Sequence, residues 1–186
     1  MKLDPDVLES IYSLTSERTH RLMKILHFES DRGAILVASA ALDEEVGELL
    51  SRFLVEDPDV RKMILGRGGI AESFGQRITM ARALGAIPPD LTEALDRIRD
   101  IRNACAHRVE EVSFKTQKIR DNVNNMEPSP PELVAGLEPS DDPVRERFLF
   151  NTGVLSGRLT ALIEKFDAAK EALKAALQAN AEKKPE

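Results

Sequence analysis

The chain has 186 residues, enough for one domain with a buried core. Charged residues make up 31% of it and aromatics 4%, with no tryptophan and one tyrosine, Tyr12, so this Ala-, Leu- and Glu-rich composition reads as mostly helical. A net charge of −6 argues against broad attraction to nucleic acid, and a lone cysteine, Cys105, excludes an internal disulfide and fits a reducing cytoplasm.

No apolar run reaches the roughly twenty residues of a membrane span. Met1 to Asp6 carry no basic stretch followed by an apolar run, so no secretory signal is expected. The whole chain, residues 1–186, is therefore expected to be a single all-α domain, a multi-helix bundle, cytoplasmic and without a membrane partner.

Asp4-Pro5 opens a first helical stretch over residues 5 to 29. Leu8, Tyr12, Thr15, Thr19, Leu22 and Leu26 line one face. Thr15-Ser16-Glu17 is a point where it can split in two, because Ser and Thr compete for backbone hydrogen bonds. His20 and His27 share a face but lack a third ligand nearby, which favours surface or packing roles over metal.

The spacing predicts a second helix over residues 31 to 56, capped by Ser30 or Asp31. From Gly33 to Leu42 nearly every residue is apolar or small, so this half should be buried on most sides and form the core of the fold. Asp31 shares a stripe with Ile35 and Leu42, Asp43 and Glu45 flank it, and Glu44 points the other way, towards solvent.

Pro58 to Leu65 suits a short helix. Gly66-Arg67-Gly68-Gly69 is a turn that lacks the Lys and Ser/Thr of a phosphate loop. Ser73 caps a helix ending at Gly85, and Ile87-Pro88-Pro89-Asp90 starts the next, which ends at His107. This pair mimics a helix-turn-helix. The would-be recognition helix opens on acids, however, where phosphate and base contacts need donors and positive charge. A helix from Ser113-Phe114 to Asn124 is locally basic through Lys115, Lys118 and Arg120, as a solvated face would be.

Residues 127 to 143 hold five prolines (Pro128, Pro130, Pro131, Pro139 and Pro143), and all their charges are acidic, so a long loop is expected there. A last helix covers residues 144 to 180. Phe148, Leu155, Leu162, Ala169 and Ala176 recur every seven residues, with Thr152, Leu159, Phe166 and Leu173 as a second seam. Such a stripe packs on the core or on a sister chain in a homodimer. After Ala168 it thins to Ala, Lys, Glu and Gln, the pattern of a solvated end.

The densest polar cluster within a helical pattern is Ile98 to His107. With Leu91 at zero and steps of about 100° per residue, Leu95, Ile98, Ala94 and Cys105 fall within about 60°. Arg102 falls at about 20°, on that apolar face, so its guanidinium is expected to be buried and paired. Asp31, Asp43 and Glu45 are the candidate partners, Asp43 foremost. Asn103 and His107, four apart, lie on a more polar face with Arg99. Cys105 lies on the apolar stripe and is expected to be a buried thiol.

Arg102-Asn103-Ala104-Cys105-Ala106-His107 resembles the motif of HEPN-type helical domains, whose nuclease members carry Arg, four to six residues, then His. The wider chain resembles the mannitol operon repressor (MltR) family. The resemblance rests on Ser30 to Glu44, then Ser73-Phe74-Gly75-Gln76-Arg77-Ile78 with Ala83-Leu84-Gly85, then Ile98 to His107, then Ser113-Phe114. It covers roughly residues 30 to 120 and implies an all-α fold with HEPN-like central helices and a repressor's regulatory role in sugar-alcohol uptake and metabolism.

Two functions compete. One is transcription regulation through protein–protein contacts with a transcription factor or transport component, without a DNA-binding motif of its own. The other, implied by the HEPN resemblance, is metal-independent RNA cleavage. There His107 would act as general acid or base, and Arg102 would stabilise charge on a phosphate. Arg102 and His107 lie about 140° apart on an ideal helix, and the apolar setting of Arg102 favours structure over catalysis. No residue is therefore firmly catalytic. The candidate functional or structural cluster is Asp31, Asp43, Glu45, Arg102, Asn103 and His107, with no metal and no cofactor expected.

Overall fold

A computed structural model describes residues 16–106, 112–126 and 142–182. It is an all-α domain. Helix α1 covers Glu17–Phe28, α2 Asp31–Phe53, α3 Pro58–Leu65, α4 Phe74–Ala83, α5 Pro89–Ala106, α6 Gln117–Asn124 and α7 Pro143–Glu182. Tyr12, His107 and most of the proline-rich stretch 127–143 lie outside the described residues.

Local signals place the ends. Ser16, Ser30 and Ser73 each accept a first-turn N–H of α1, α2 and α4, and Ser73 and Gln76 form a reciprocal capping box. Asp57 caps α3 through the N–H groups of Asp59 and Val60. Gly85 adopts φ 68, the left-handed conformation that ends a helix at little steric cost for glycine. The sixth helix begins later than the sequence suggests. Residues 113–116 form a turn, and the Phe114 N–H donates to Asp31 Oδ2 at 3.1 Å instead of entering a helix.

Helix α2 is central, packing against α7, α4, α5, α1 and α3. Ala34, Ile35, Ala38, Leu42 and Val46 are fully buried along it. It is not covered all round, however. Leu36 is 38% exposed and Ala40 is exposed, while Glu44 faces solvent as expected. Helix α5 supplies Leu91, Leu95, Ile98, Ile101 and Cys105 to the same core. Phe114 and Phe148 meet there with ring centroids 5.1 Å apart, a favoured aromatic separation.

Helix α7 has 40 residues and is about 60 Å long at 1.5 Å per residue. Its first half closes the bundle with Phe148, Thr152, Leu155 and Leu159 buried, and Phe166 stacks on Phe53 at 4.5 Å. Leu173 and Leu177 are each 61% exposed, so the stripe buries only its first half in this chain. The turn between α4 and α5 is packed rather than presented. Ala86 and Ile87 are buried, and Asp90 at the start of α5 pairs with Arg158 of α7 at 2.6 Å.

Candidate functional site

A groove of about 470 Å³ opens where α2, the turn into α4 and α5 meet. Its floor is Leu36, Ser39, Ala40 and Asp43 of α2. One wall is Glu72, Ser73, Phe74 and Gly75; the other is Arg99, Arg102 and Asn103 of α5. The three sequence segments Ser30 to Glu44, Ser73 to Ile78 and Ile98 to Ala106 thus converge on one feature.

The structure corrects the expected state of Arg102. It is exposed, and its Nη1 donates to Asn103 Oδ1 at 3.2 Å rather than to Asp43. The reason lies in helix geometry. The buried stripe of α5 runs Leu91, Ile98, Cys105, and a seven-residue step on a straight helix falls about 20° short of two full turns. By the last turn the buried side is centred on Ile101 and Cys105, which leaves Arg102 on the rim. The first-turn reference Leu91 put it at the centre only on paper.

The arginine hub is the part-buried Arg77. Its Nη1 donates to Asp43 Oδ1 at 2.8 Å and to the Asp43 carbonyl at 3.3 Å. Its Nε donates to the Ala71 carbonyl at 3.1 Å, and its Nη2 to the Leu65 carbonyl at 3.1 Å. The Arg77 side chain is 18% exposed. It ties α2, the end of α3 and the start of α4 into the floor and near wall of the groove. Gly47 makes room for it, since a Cβ there would lie 3.3 Å from Arg77 Nη1. Burial pushes the Asp43 carboxyl above its ordinary value, with the charges of Arg77 and, less strongly, Arg102 acting the other way. The sequence pattern points to the carboxylate but not to its partner, because Arg77 lies outside the apolar stripe of α5. Its signal was a cation directly before the buried Ile78, four residues after the capping Ser73.

The other two candidate acids serve elsewhere. Asp31 pairs with Arg145 of α7 at 2.7 Å and accepts the Phe114 N–H, so it pins α7 and the turn before α6 to the start of α2. Arg145 also donates to the carbonyls of Leu26 and Glu29, and its guanidinium lies 5.9 Å from the Phe114 ring centroid. Glu45 is 1% exposed and lies between α1, α2 and α7. Its Oε1 accepts from Ser156 Oγ at 2.8 Å and is 3.3 Å from Arg18 Nε, while Oε2 has no hydrogen-bond partner among the described residues. Burial pushes its carboxyl up, with Ser156 and then Arg18 acting against that. Thr19 and Ser156 hydroxyls, 3.1 Å apart, continue the same buried polar seam.

Neither Asp31 nor Glu45 lines the groove; Asp43, Arg102 and Asn103 do. Cys105 is a buried free thiol, its acidity lowered by burial. In the glycine-rich turn, the Gly68 N–H donates to Glu72 Oε2 at 2.9 Å, so an amide that a phosphate would need is taken by a carboxylate. His27 lies edge-on to Phe28, and among the described residues no group of three His, Cys, Asp or Glu is placed to hold a metal. No helix among them is long and apolar enough to cross a membrane.

No protein-family model matches the chain, and no curated protein matches it. A solved structure does. The fold superposes on a chain of the X-ray structure of the MtlR–HPr complex from Escherichia coli with a TM-score of 0.62 and 19% identity, covering 77% of this chain and 99% of that one. At that identity the likeness is one of fold.

Proposed function

We propose that the chain is a regulatory protein that works by binding another protein, as the mannitol operon regulator of like fold binds HPr. The observation that carries this reading is the shared fold, over nearly the whole of a chain that was captured in a complex with a protein partner. Two features of this molecule support it. The element that mimics a DNA reader is engaged internally, through Ile87 in the core and Asp90 on Arg158. The net charge is −6, the wrong sign for holding a phosphate backbone. We extend this reading to control of transcription, as a repressor acting through a transcription factor or a transport component such as HPr.

The test is capture from the native cytoplasm by the full chain, with mass spectrometry, followed by calorimetric titration with purified HPr of the same cell. A saturable complex with HPr or with a transcription factor supports the reading. Failure to retain any protein in stoichiometric amount removes it.

A second reading is a metal-independent ribonuclease using Arg102 and His107. The observation that favours it is the exposure of Arg102 at an open groove, where a phosphate could reach it. RNA cleavage by the wild-type chain, lost in His107→Ala, would establish it; equal cleavage by both would assign the activity to a contaminant.

A further inference from the structure

We propose that the groove between α2, α4 and α5 binds a small, singly charged organic acid. Its carboxylate would be held by Arg102 and Asn103, and its apolar body by Leu36, Ala40 and Phe74. The inference is independent of the partner protein proposed above.

Size comes first. About 470 Å³ falls within the range of about 300–1,000 Å³ typical of small-molecule sites. The floor is apolar where it need not be: Leu36 and Ala40 belong to the most buried helix of the fold, yet both are exposed here, beside a half-buried Phe74. A ligand with an apolar body would cover that floor.

Charge comes second. Among the described residues Arg102 has no carboxylate within ion-pair distance, and the acceptor it meets is the neutral Asn103 Oδ1. That bond leaves the rest of the guanidinium fork and the Asn103 amide N–H groups as donors on one edge of α5, a donor set matched to a planar carboxylate. Neighbouring charges limit the guest. Asp43 is engaged by Arg77, and Glu72 by the Gly68 N–H. Arg99 is shared between Asp96 at 2.6 Å and Asp100 at 3.2 Å. Gly75 lets it lie against the first turn of α4, since a Cβ there would be 3.3 Å from Arg99 Cδ and Nη1. The lining residues thus comprise two acids and two bases, with Arg102 the base that has no carboxylate within ion-pair distance among the described residues. One negative charge is matched; a second would face Asp43 and Glu72.

Benzoate is the probe, with benzamide as its uncharged counterpart and phenyl phosphate as its more highly charged one. Amide NMR spectra of the full chain are titrated with each at constant ionic strength. Benzoate is expected to shift Leu36, Ala40, Phe74 and Asn103 and to saturate in the millimolar range. Benzamide and Arg102→Ala are each expected to weaken it about tenfold. Ala40→Leu, which fills the floor without touching a charge, is expected to remove it. Arg102 and Ala40 are both exposed, so both variants should keep the wild-type spectrum elsewhere. Phenyl phosphate is expected to bind no tighter than benzoate. Non-saturating shifts, shifts equal in Arg102→Ala, or equal binding of benzamide overturn the site. Tighter binding of phenyl phosphate overturns the single charge.

Discussion

Arg77 and Arg102 make a contrast that stability can read. Arg77 donates four hydrogen bonds from a side chain that is 18% exposed, and its removal takes the partner from the half-buried Asp43 carboxylate and from three carbonyls, those of Asp43, Leu65 and Ala71. Losing one partner of such a set is expected to cost about 3 kcal/mol in urea melts of Arg77→Ala. Arg102→Ala removes an exposed side chain and is expected to stay within about 0.5 kcal/mol of wild type. Equal losses in the two variants would show that the hub has been misplaced. Glu45 gives a pH dependence. Its native pKa lies above the ordinary 4.5, so the protonated form is favoured by folding. The stabilising contribution is complete below the unfolded value and is lost as pH rises through the native one. Wild type should therefore gain on Glu45→Gln as the pH is lowered from 8 towards 5. Denaturant midpoints of both at the two pH values check this, and a constant gap would mean that Glu45 titrates normally.

At the scale of elements, α7 is two things in one helix. Up to Phe166 it is a wall of the bundle; beyond Lys170, which pairs with Glu56 at 2.5 Å, the described side chains are exposed. A chain ending at Lys170 is expected to lose less than about 1 kcal/mol, because an exposed helical end is held by little more than its own backbone bonds and the Lys174–Glu171 pair. A larger loss in urea melts would show that the distal half docks somewhere. The same two chains decide whether the heptad stripe, beyond its packing on the core, also pairs with a sister chain. Within one chain the core already takes Phe148, Leu155 and Leu159, so two copies pairing through the stripe have only Ala169, Leu173, Ala176 and Leu177 to use. Light scattering at micromolar concentration would then give a dimer for the full chain and a monomer for the shortened one.

For the molecule as a whole, charge and packing together bear on nucleic acid. The start of α5, the would-be reading element, is tied to α7 through Asp90 and Arg158. With a net charge of −6, the chain alone is expected not to bind its own promoter in a sequence-specific way. A mobility shift that survives competitor DNA and about 200 mM salt would contradict this, since nonspecific attraction falls steeply with salt.

Composition, period-3.6 patterning and serine caps by themselves determined the helical class and most of the boundaries from α1 to α7. Those signals are local: a cap bonds within four residues, and an apolar stripe is set by the helix that carries it. The central place of α2, the burial of Cys105 and the solvated end of α7 followed from the same patterns. Only the tertiary structure decided which charge meets which. Asp31, Asp43 and Glu45 lie on one helix, yet they face Arg145, Arg77 and Arg18, each from a different element. Partner choice depends on crossing angles and on where a stripe has drifted by its last turn, and no helical wheel contains either. The groove is tertiary for the same reason. Its floor belongs to the half of α2 that the sequence marks as buried on most sides, left open between the turn into α4 and the last turns of α5, with Arg102 exposed beside it.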